Sequence, residues 1–176
     1  MKYWINRGIS WIAYRTTKRY TTIKIRSLEP NYWDKDTLLL HSIMQLVVDY
    51  VEIECSQMHR RVKPSLRDRL LRMIPWFLRS DEWYRSPESG VADLKWQCSL
   101  DDSSLPEDER NPEQAQAARV ILEVYTWWKD IYPKREDPHL NPDYYTKDLL
   151  KIIRQHSKED AKMLKKIIDV REYLWT

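Results

Sequence analysis

The feature that most constrains this chain is its shortage of glycine, because only Gly8 and Gly90 occur in 176 residues. Glycine-rich phosphate loops and the nucleophile elbow of α/β hydrolases need several residues that tolerate positive φ or a close backbone approach. Short β-hairpin turns need glycine for the same reason. The sequence therefore excludes the common nucleotide-binding α/β folds and argues against a mainly β protein.

Composition indicates one soluble globular domain over residues 1–176, with 42% hydrophobic and 32% charged residues. No apolar run approaches the roughly 20 residues of a membrane span, so we expect no membrane association. The first twenty residues are interrupted by Asn6, Arg7 and Gly8 and lack the hydrophobic segment of a secretory signal. Cys55 and Cys98 have no paired spacing, so we expect free thiols in a reducing compartment.

Residues 1–30 form a basic arm that is rich in aromatic residues. Up to Leu28 it contains no acidic residue, and its stretch RYTTIKIR alternates with the period of a strand, which predicts a small β or extended element. The arm has seven cations, which are Lys2, Arg7, Arg15, Lys18, Arg19, Lys24 and Arg26. Cations interleaved with Tyr and Trp are typical of nucleic-acid binding, and they are equally typical of an arm that packs its aromatic side chains on a core.

Residues 31–176 are predicted to form a helical bundle, so the fold class is mainly α. A first long helix is expected over about 35–58, capped by Asp34 or Asp36, and a second over about 112–132, capped by Asn111. Ser65 and Asp68 have the spacing of a capping box for a short helix that Pro75 ends or kinks.

The remaining segments give less regular patterns. Residues 81–105 are expected to be irregular with a turn at Gly90, and an acidic, proline-containing stretch near 99–111 is expected to be a solvated loop. The C-terminal part predicts two amphipathic helices, the second of which begins at Ser157 with Asp160 in capping-box spacing.

Two narrow polar stripes are the best candidates for a site. At 100° per residue, His41, Gln45, Asp49 and Glu52 fall within an arc of roughly 80° on the first helix. No cation lies between Lys35 and Arg60, although solvent-facing stripes of helices commonly contain lysine. The polar arc of the second long helix contains Gln116, Arg119, Glu123, Thr126 and Asp130, with Arg119 and Glu123 spaced as an i,i+4 pair.

Three interpretations of these stripes stay open from the sequence. Together the stripes give a candidate polar pocket, which is a structural network between helices, a solvent stripe, or a functional site. Its residues are His41, Gln45, Asp49, Glu52, Arg119, Glu123 and Asp130. Asp49 and Glu52 at i,i+3 can bind one divalent ion together, so the third interpretation is a metal-dependent all-α hydrolase of nucleotides that uses Mg or Mn. A repeated ExxH or an HExxH motif is absent. We assign no catalytic residue and expect no cofactor outside this alternative.

The candidate binding surface combines the arm with the arginine-rich segment from Arg60 to Arg79. The candidate contact residues on it are the cations Arg15, Lys18, Arg19, Lys24, Arg26, Arg60, Arg61, Arg67 and Arg72. Another protein is the expected partner, and nucleic acid is the alternative. The formal net charge is only +3, so a nucleic-acid footprint would have to be local.

Four blocks carry a resemblance to a known family: AYRTTKRY, NYWDKDTLLLHSIMQLVVDYVEIE, DLKWQCSL and EQAQAARVILEVYTWWKDIYPKREDP. Up to about Pro138 the chain resembles a family of uncharacterised proteins encoded by tailed bacteriophages, which has no established activity. The resemblance implies a viral protein in the cytoplasm of an infected host cell. Since many small phage proteins bind host machinery, we predict an interaction protein rather than an enzyme.

Overall fold

The computed structural model describes residues 23, 25–29, 32–62, 64–74, 84–135 and 146–174. No strand occurs in these ranges, and the fold is mainly α, as predicted. The expected β element over RYTTIKIR lies largely outside them. None of the helices in the described ranges is long and apolar enough to cross a membrane. The described ranges contain six α-helices, which are α1 (Lys35–Asp49), α2 (Ser56–Val62), α3 (Leu66–Met73), α4 (Pro87–Gln97), α5 (Pro112–Thr126) and α6 (Thr146–Asp169).

The two predicted long helices are present, and each contains a π-helical segment. The first π segment, Tyr50–Cys55, joins α1 to α2 without a break, so the helix ends at Val62. The second π segment, Trp127–Ile131, continues α5. A π turn holds an extra residue, so side chains beyond it leave the phase that a regular helix would give them.

Two of the predicted helix caps are confirmed. The backbone N–H of Asp68 donates to Ser65 Oγ at 3.2 Å, and the N–H of Ser65 donates to Asp68 Oδ2 at 2.7 Å, which completes the capping box. Gln114 N–H donates to Asn111 Oδ1 at 3.0 Å. Asp34 occupies the N-cap position of α1 but makes no side-chain cap bond. Pro75 lies outside the described residues.

The prediction of irregular structure over residues 81–105 is wrong, because helix α4 occupies Pro87–Gln97. Ser86 caps this helix by accepting from Ser89 N–H at 3.3 Å, and Pro87 stands at the first helical position, where proline is favoured. Gly90 lies inside α4 and not in a turn, since the absence of a side chain lets α4 approach the first π segment closely. The acidic stretch that follows is a largely exposed loop, as predicted, and Glu107–Glu109 within it form a short 3₁₀ turn.

The prediction of two C-terminal helices is also wrong. A single helix, α6, runs from Thr146 to Asp169, and Ser157 is an exposed residue in its interior. The helix continues because inward-facing positions such as Ile153, His156, Met163 and Ile167 keep the i, i+3, i+4 spacing on both sides of Ser157. Burial of that continuous face outweighs the local capping signal.

The core lies where α1, the first π segment, α4 and α5 meet. Helix α4 packs on the first π segment, α2 and α5, while α6 packs on α5 and α1. Met44, Val51, Leu94 and Val124 are fully enclosed there. This arrangement brings the polar stripe of the first long helix against the C-terminal end of the second.

Candidate functional site

Glu52, in the first π segment, is buried, with only 2% of its surface exposed. It is the centre of what we call the polar cluster, which consists of Arg26, Ser27, His41, Gln45, Asp49, Glu52, Arg85, Tyr125, Trp128, Lys129 and Tyr132. Its carboxylate accepts from Lys129 Nζ at 3.0 Å, from Tyr125 OH at 3.0 Å and from Arg85 Nε. Its backbone oxygen accepts from Ser86 N–H at 2.8 Å. Glu52 therefore connects the first long helix to the start of α4, to α5 and to the second π segment.

The ionisation of Glu52 reflects two opposing effects. Burial raises its pKa, but hydrogen bonds from Lys129, Arg85 and Tyr125 stabilise the carboxylate, and the pKa is lowered overall. An ionised carboxylate with three donors has little capacity left to accept a proton from a substrate. This geometry suits a structural anion better than a general base.

A second part of the cluster connects α1 to the segment that precedes it. Arg26 N–H donates to Gln45 Oε1 at 2.9 Å, and Arg26 Nη1 donates to Asp49 Oδ1 at 2.6 Å. Gln45 Nε2 also donates to Asp49 Oδ1, at 2.9 Å. The polar face of α1 therefore holds residues 25–29 in place through one backbone bond and one ion pair.

His41 completes the stripe and is buried. Its Nδ1 lies 2.7 Å from Ser27 Oγ, and its Nε2 lies 3.2 Å from Tyr132 OH. The edge of its ring meets Trp128, with 4.8 Å between ring centroids. Burial lowers the pKa of His41 below its ordinary 6.5, although Asp160 acts in the opposite direction. His41 is thus a neutral imidazole at pH 7.

The contact between Ser27 and His41 has the distance of a nucleophile and its base. In serine hydrolases the second imidazole nitrogen is oriented by a carboxylate. Here Tyr132, a phenol, takes that position. The imidazole therefore bonds to a phenol and not to a carboxylate, and we interpret the pair as a structural link between residues 25–29 and the end of the second long helix.

A cavity of about 370 Å³ lies within this cluster. Three cations and one carboxylate line it, together with two other polar groups, an aliphatic residue and an indole. The lining residues are Arg26, Ser27, Gln45, Val48, Glu52, Arg85, Trp128 and Lys129. Since the cations already bond to Asp49 and Glu52, an anionic ligand would have to compete with these carboxylates.

The cluster fits a divalent metal poorly. No group of three or more His, Cys, Asp or Glu residues that could hold a metal ion occurs in the described part of the chain. Asp49 bonds to Arg26, whereas Glu52 bonds to Arg85 and Lys129. The cations that neutralise these carboxylates would also repel a metal ion. Asp49 and Glu52, the pair that the hydrolase alternative requires, therefore bond to different cations and not to one shared ion.

The second predicted stripe does not join this cluster. Arg119 donates to Asp101 Oδ1 at 2.6 Å and to the backbone oxygen of Cys98 at 2.9 Å. Glu123 pairs with Lys166 of α6. Asp130 is exposed. Arg119 and Glu123 thus bond in different directions.

Sequence reasoning missed the residues that complete the cluster, namely Arg85, Tyr125, Trp128, Lys129 and Tyr132. The sequence offered one signal for these residues, because Tyr125 and Tyr132 are seven residues apart, about two helical turns. Both are tyrosines, whose hydroxyl groups require partners when buried. No pattern near Arg85 pointed to Glu52.

The predicted binding surface is described only in part. Arg15, Lys18, Arg19 and Lys24 lie outside the described residues, and Arg26 belongs to the polar cluster. Arg60 and Arg61 are on α2, and Arg67 and Arg72 are on α3. The Arg67 side chain is exposed.

Helix α3 exposes an apolar face within this surface. Leu66, Leu70 and Met73 are 77%, 61% and 81% exposed. Their i, i+4, i+7 spacing places them within an arc of roughly 60°. Arg67 and Arg69, also exposed, flank that arc on opposite sides.

Comparison of the chain with protein-family models, with curated proteins and with solved structures gave no match. The resemblance to phage-encoded proteins therefore stays a prediction from sequence.

Proposed function

We propose that the protein acts by binding another protein through α3 rather than by catalysis. The observation that carries this proposal is the row of Leu66, Leu70 and Met73, which are exposed on one face of a helix. Large apolar side chains clustered on a surface are typical of interaction sites. The partner that fits is an apolar groove with an acidic rim, because Arg67 and Arg69 flank the row.

The polar cluster supports the same conclusion indirectly. Its carboxylates and its imidazole are occupied by partners in the protein itself, and Glu52 is held as an anion by two cations and a phenol. Such groups stabilise the packing of helices, and within this described cluster they leave no free carboxylate to act as acid or base. As part of the proposal, the protein is phage-encoded and meets a host or viral partner in the cytoplasm of the infected cell.

Proximity crosslinking in infected cells, followed by calorimetry with the purified partner, tests this function. We expect Leu66→Ser/Leu70→Ser to reduce affinity at least tenfold. The matched control is Leu39→Ser/Ile131→Ser, which removes two exposed aliphatic side chains elsewhere and should bind normally.

Two results would overturn the proposal. One is equal affinity for the α3 variant and its control. The other is concentration-dependent self-association that the α3 variant abolishes, measured by sedimentation velocity, since α3 would then pack on a second copy of the chain.

A further inference from the structure

Helix α6 carries five cations in one straight row. Lys151, Arg154, Lys158, Lys162 and Lys165 are all exposed. Their i, i+3, i+7, i+11, i+14 spacing places them within an arc of roughly 80°. At 1.5 Å per residue the row is about 21 Å long. We call these five residues the α6 row.

The acids in the middle of α6 point away from this row. Glu159 and Asp160 bond to Arg135, at 2.7 Å and 2.6 Å, on the side of the helix that faces the core. Lys166, which lies outside the row, pairs with Glu123. No residue of the α6 row forms an ion pair with another described residue. The row is therefore a local concentration of positive charge without an ion pair to another described residue, and the exposed acids of the helix lie near its two ends, at Asp148 and Asp169.

A surface groove lies along the first part of the row. It has a volume of about 570 Å³, and its described lining consists of Leu150, Lys151, Arg154, Gln155 and Lys158. Three of these five residues are cations and none is an acid. The described lining of the groove is thus positively charged.

We propose that the α6 row binds the phosphate backbone of duplex nucleic acid. A duplex presents one phosphate per strand about every 3.4 Å of axis, so the row spans about six phosphates of one strand. Because the strand makes a full turn in about 10 base pairs, the row contacts only those of the six that are turned towards it. A single strand is instead held by stacking on aromatic side chains. Helix α6 has no Trp, Tyr or Phe, in a chain with 9 Trp and 11 Tyr. The row therefore fits backbone contact with a duplex better than single-strand recognition.

Fluorescence anisotropy with a 20-base-pair DNA duplex, between about 50 and 200 mM salt, tests the proposal with the full chain. Each engaged phosphate contact contributes about 0.9 to the slope of log K against log salt. We expect Lys151→Ala/Arg154→Ala/Lys158→Ala to weaken binding and flatten this slope by about 2.7. When the salt concentration rises fourfold over this range, the triple variant should therefore lose affinity by a factor that is about 40-fold smaller than the factor for the unmodified protein.

The matched control is Lys35→Ala/Lys95→Ala/Lys134→Ala, which removes the same charge from three exposed lysines elsewhere. It should keep the unmodified slope. Circular dichroism melts establish that both triple variants are folded. Since α3 lies outside the row, Leu66→Ser/Leu70→Ser should bind the duplex normally, so that failure of the protein-binding proposal and failure of this one give different results.

Four outcomes would overturn the inference. They are absence of duplex binding at about 50 mM salt, where phosphate contacts are strong; equal slopes for the two triple variants; tighter binding of a 20-nucleotide oligothymidylate than of the duplex; and tighter binding of vesicles of anionic lipid than of the duplex.

Discussion

The Cα atom of Gly90 lies directly against the backbone of Val51. A methyl group at Gly90 would come within 2.7 Å of the carbonyl carbon of Val51, closer still to its oxygen, and within 3.2 Å of Cγ1. Gly90 is inside α4, and Val51 is inside the first π segment. The contact sets how closely α4 packs on the helix that carries Glu52.

We expect Gly90→Ala to destabilise the protein by more than about 2 kcal/mol, because the new methyl group meets backbone that cannot move aside. Helix propensity alone predicts the opposite, a gain of about 1 kcal/mol. Urea unfolding measures the difference. Ala92→Gly, two residues away in α4, is the control, with an expected loss of about 1 kcal/mol. A Gly90→Ala protein more stable than the parent would contradict the close approach.

The unfolding free energy that is lost when a carboxylate is removed should increase with the burial of that carboxylate. Glu52→Gln should cost about 3 kcal/mol of unfolding free energy, because it leaves Arg85 and Lys129 beside a buried neutral group. Asp49→Ala should cost about 1–2 kcal/mol, since Asp49 is partly exposed and its loss removes the acceptor of Gln45 Nε2. Glu123→Gln breaks an exposed pair and should cost about 0–1 kcal/mol. Chemical denaturation gives the three values, and a cost for Glu123→Gln as large as that for Glu52→Gln would refute the ranking.

His41 should make stability depend on pH below about 6.5, its ordinary pKa. The pKa is lowered in the folded protein, so as the pH falls through this value the unfolded chain takes up a proton before the folded chain does. The unfolding free energy then decreases with falling pH, with a slope of up to about 1.4 kcal/mol per pH unit, and it levels off below the folded pKa.

Urea unfolding at several pH values from about 7.5 to 5.5 measures this slope, above the range in which Glu52 titrates. The His41→Gln variant keeps a polar side chain but no titratable group, so its slope over the same range should be smaller. Identical slopes for the two proteins would mean that His41 is not buried as a neutral imidazole.

Arg135 should hold α6 on the bundle. Its guanidinium lies 4.9 Å from the ring centroid of Trp127 and 5.0 Å from that of Tyr132, and it bonds to Glu159 and Asp160. We expect Arg135→Ala to cost about 2–3 kcal/mol, the scale of losing hydrogen bonds to charged groups. Hydrogen exchange should show faster opening in α6 than in α1. A uniform increase in exchange across both helices would argue against this local role.

The sequence by itself determined the helical class, the two long helices, the capping box at Ser65 and the cap at Asn111. These features depend on residues that lie within one or two helical turns of each other and are therefore close together along the chain. It also identified His41, Gln45, Asp49 and Glu52 as an unusual stripe, because a polar arc without lysine on an apolar helix needs partners from outside that helix.

Only the tertiary structure decided which partners those are. Arg26, Arg85 and Lys129 lie 23, 33 and 77 residues from the carboxylates they bond, and no local pattern relates them. The two π segments change the phase on which a calculation at 100° per residue depends, so the contact between Glu52 and Lys129, which both lie in π segments, does not follow from that calculation. Glu123 precedes the second π segment and pairs with Lys166 of α6, a partner 43 residues away. Gly90 resembled a turn residue because glycine has little helix propensity, but the space beside Val51 admits no side chain. Packing of distant segments outweighs local preference at these positions, because burial energy depends on neighbours in space and not on neighbours in sequence.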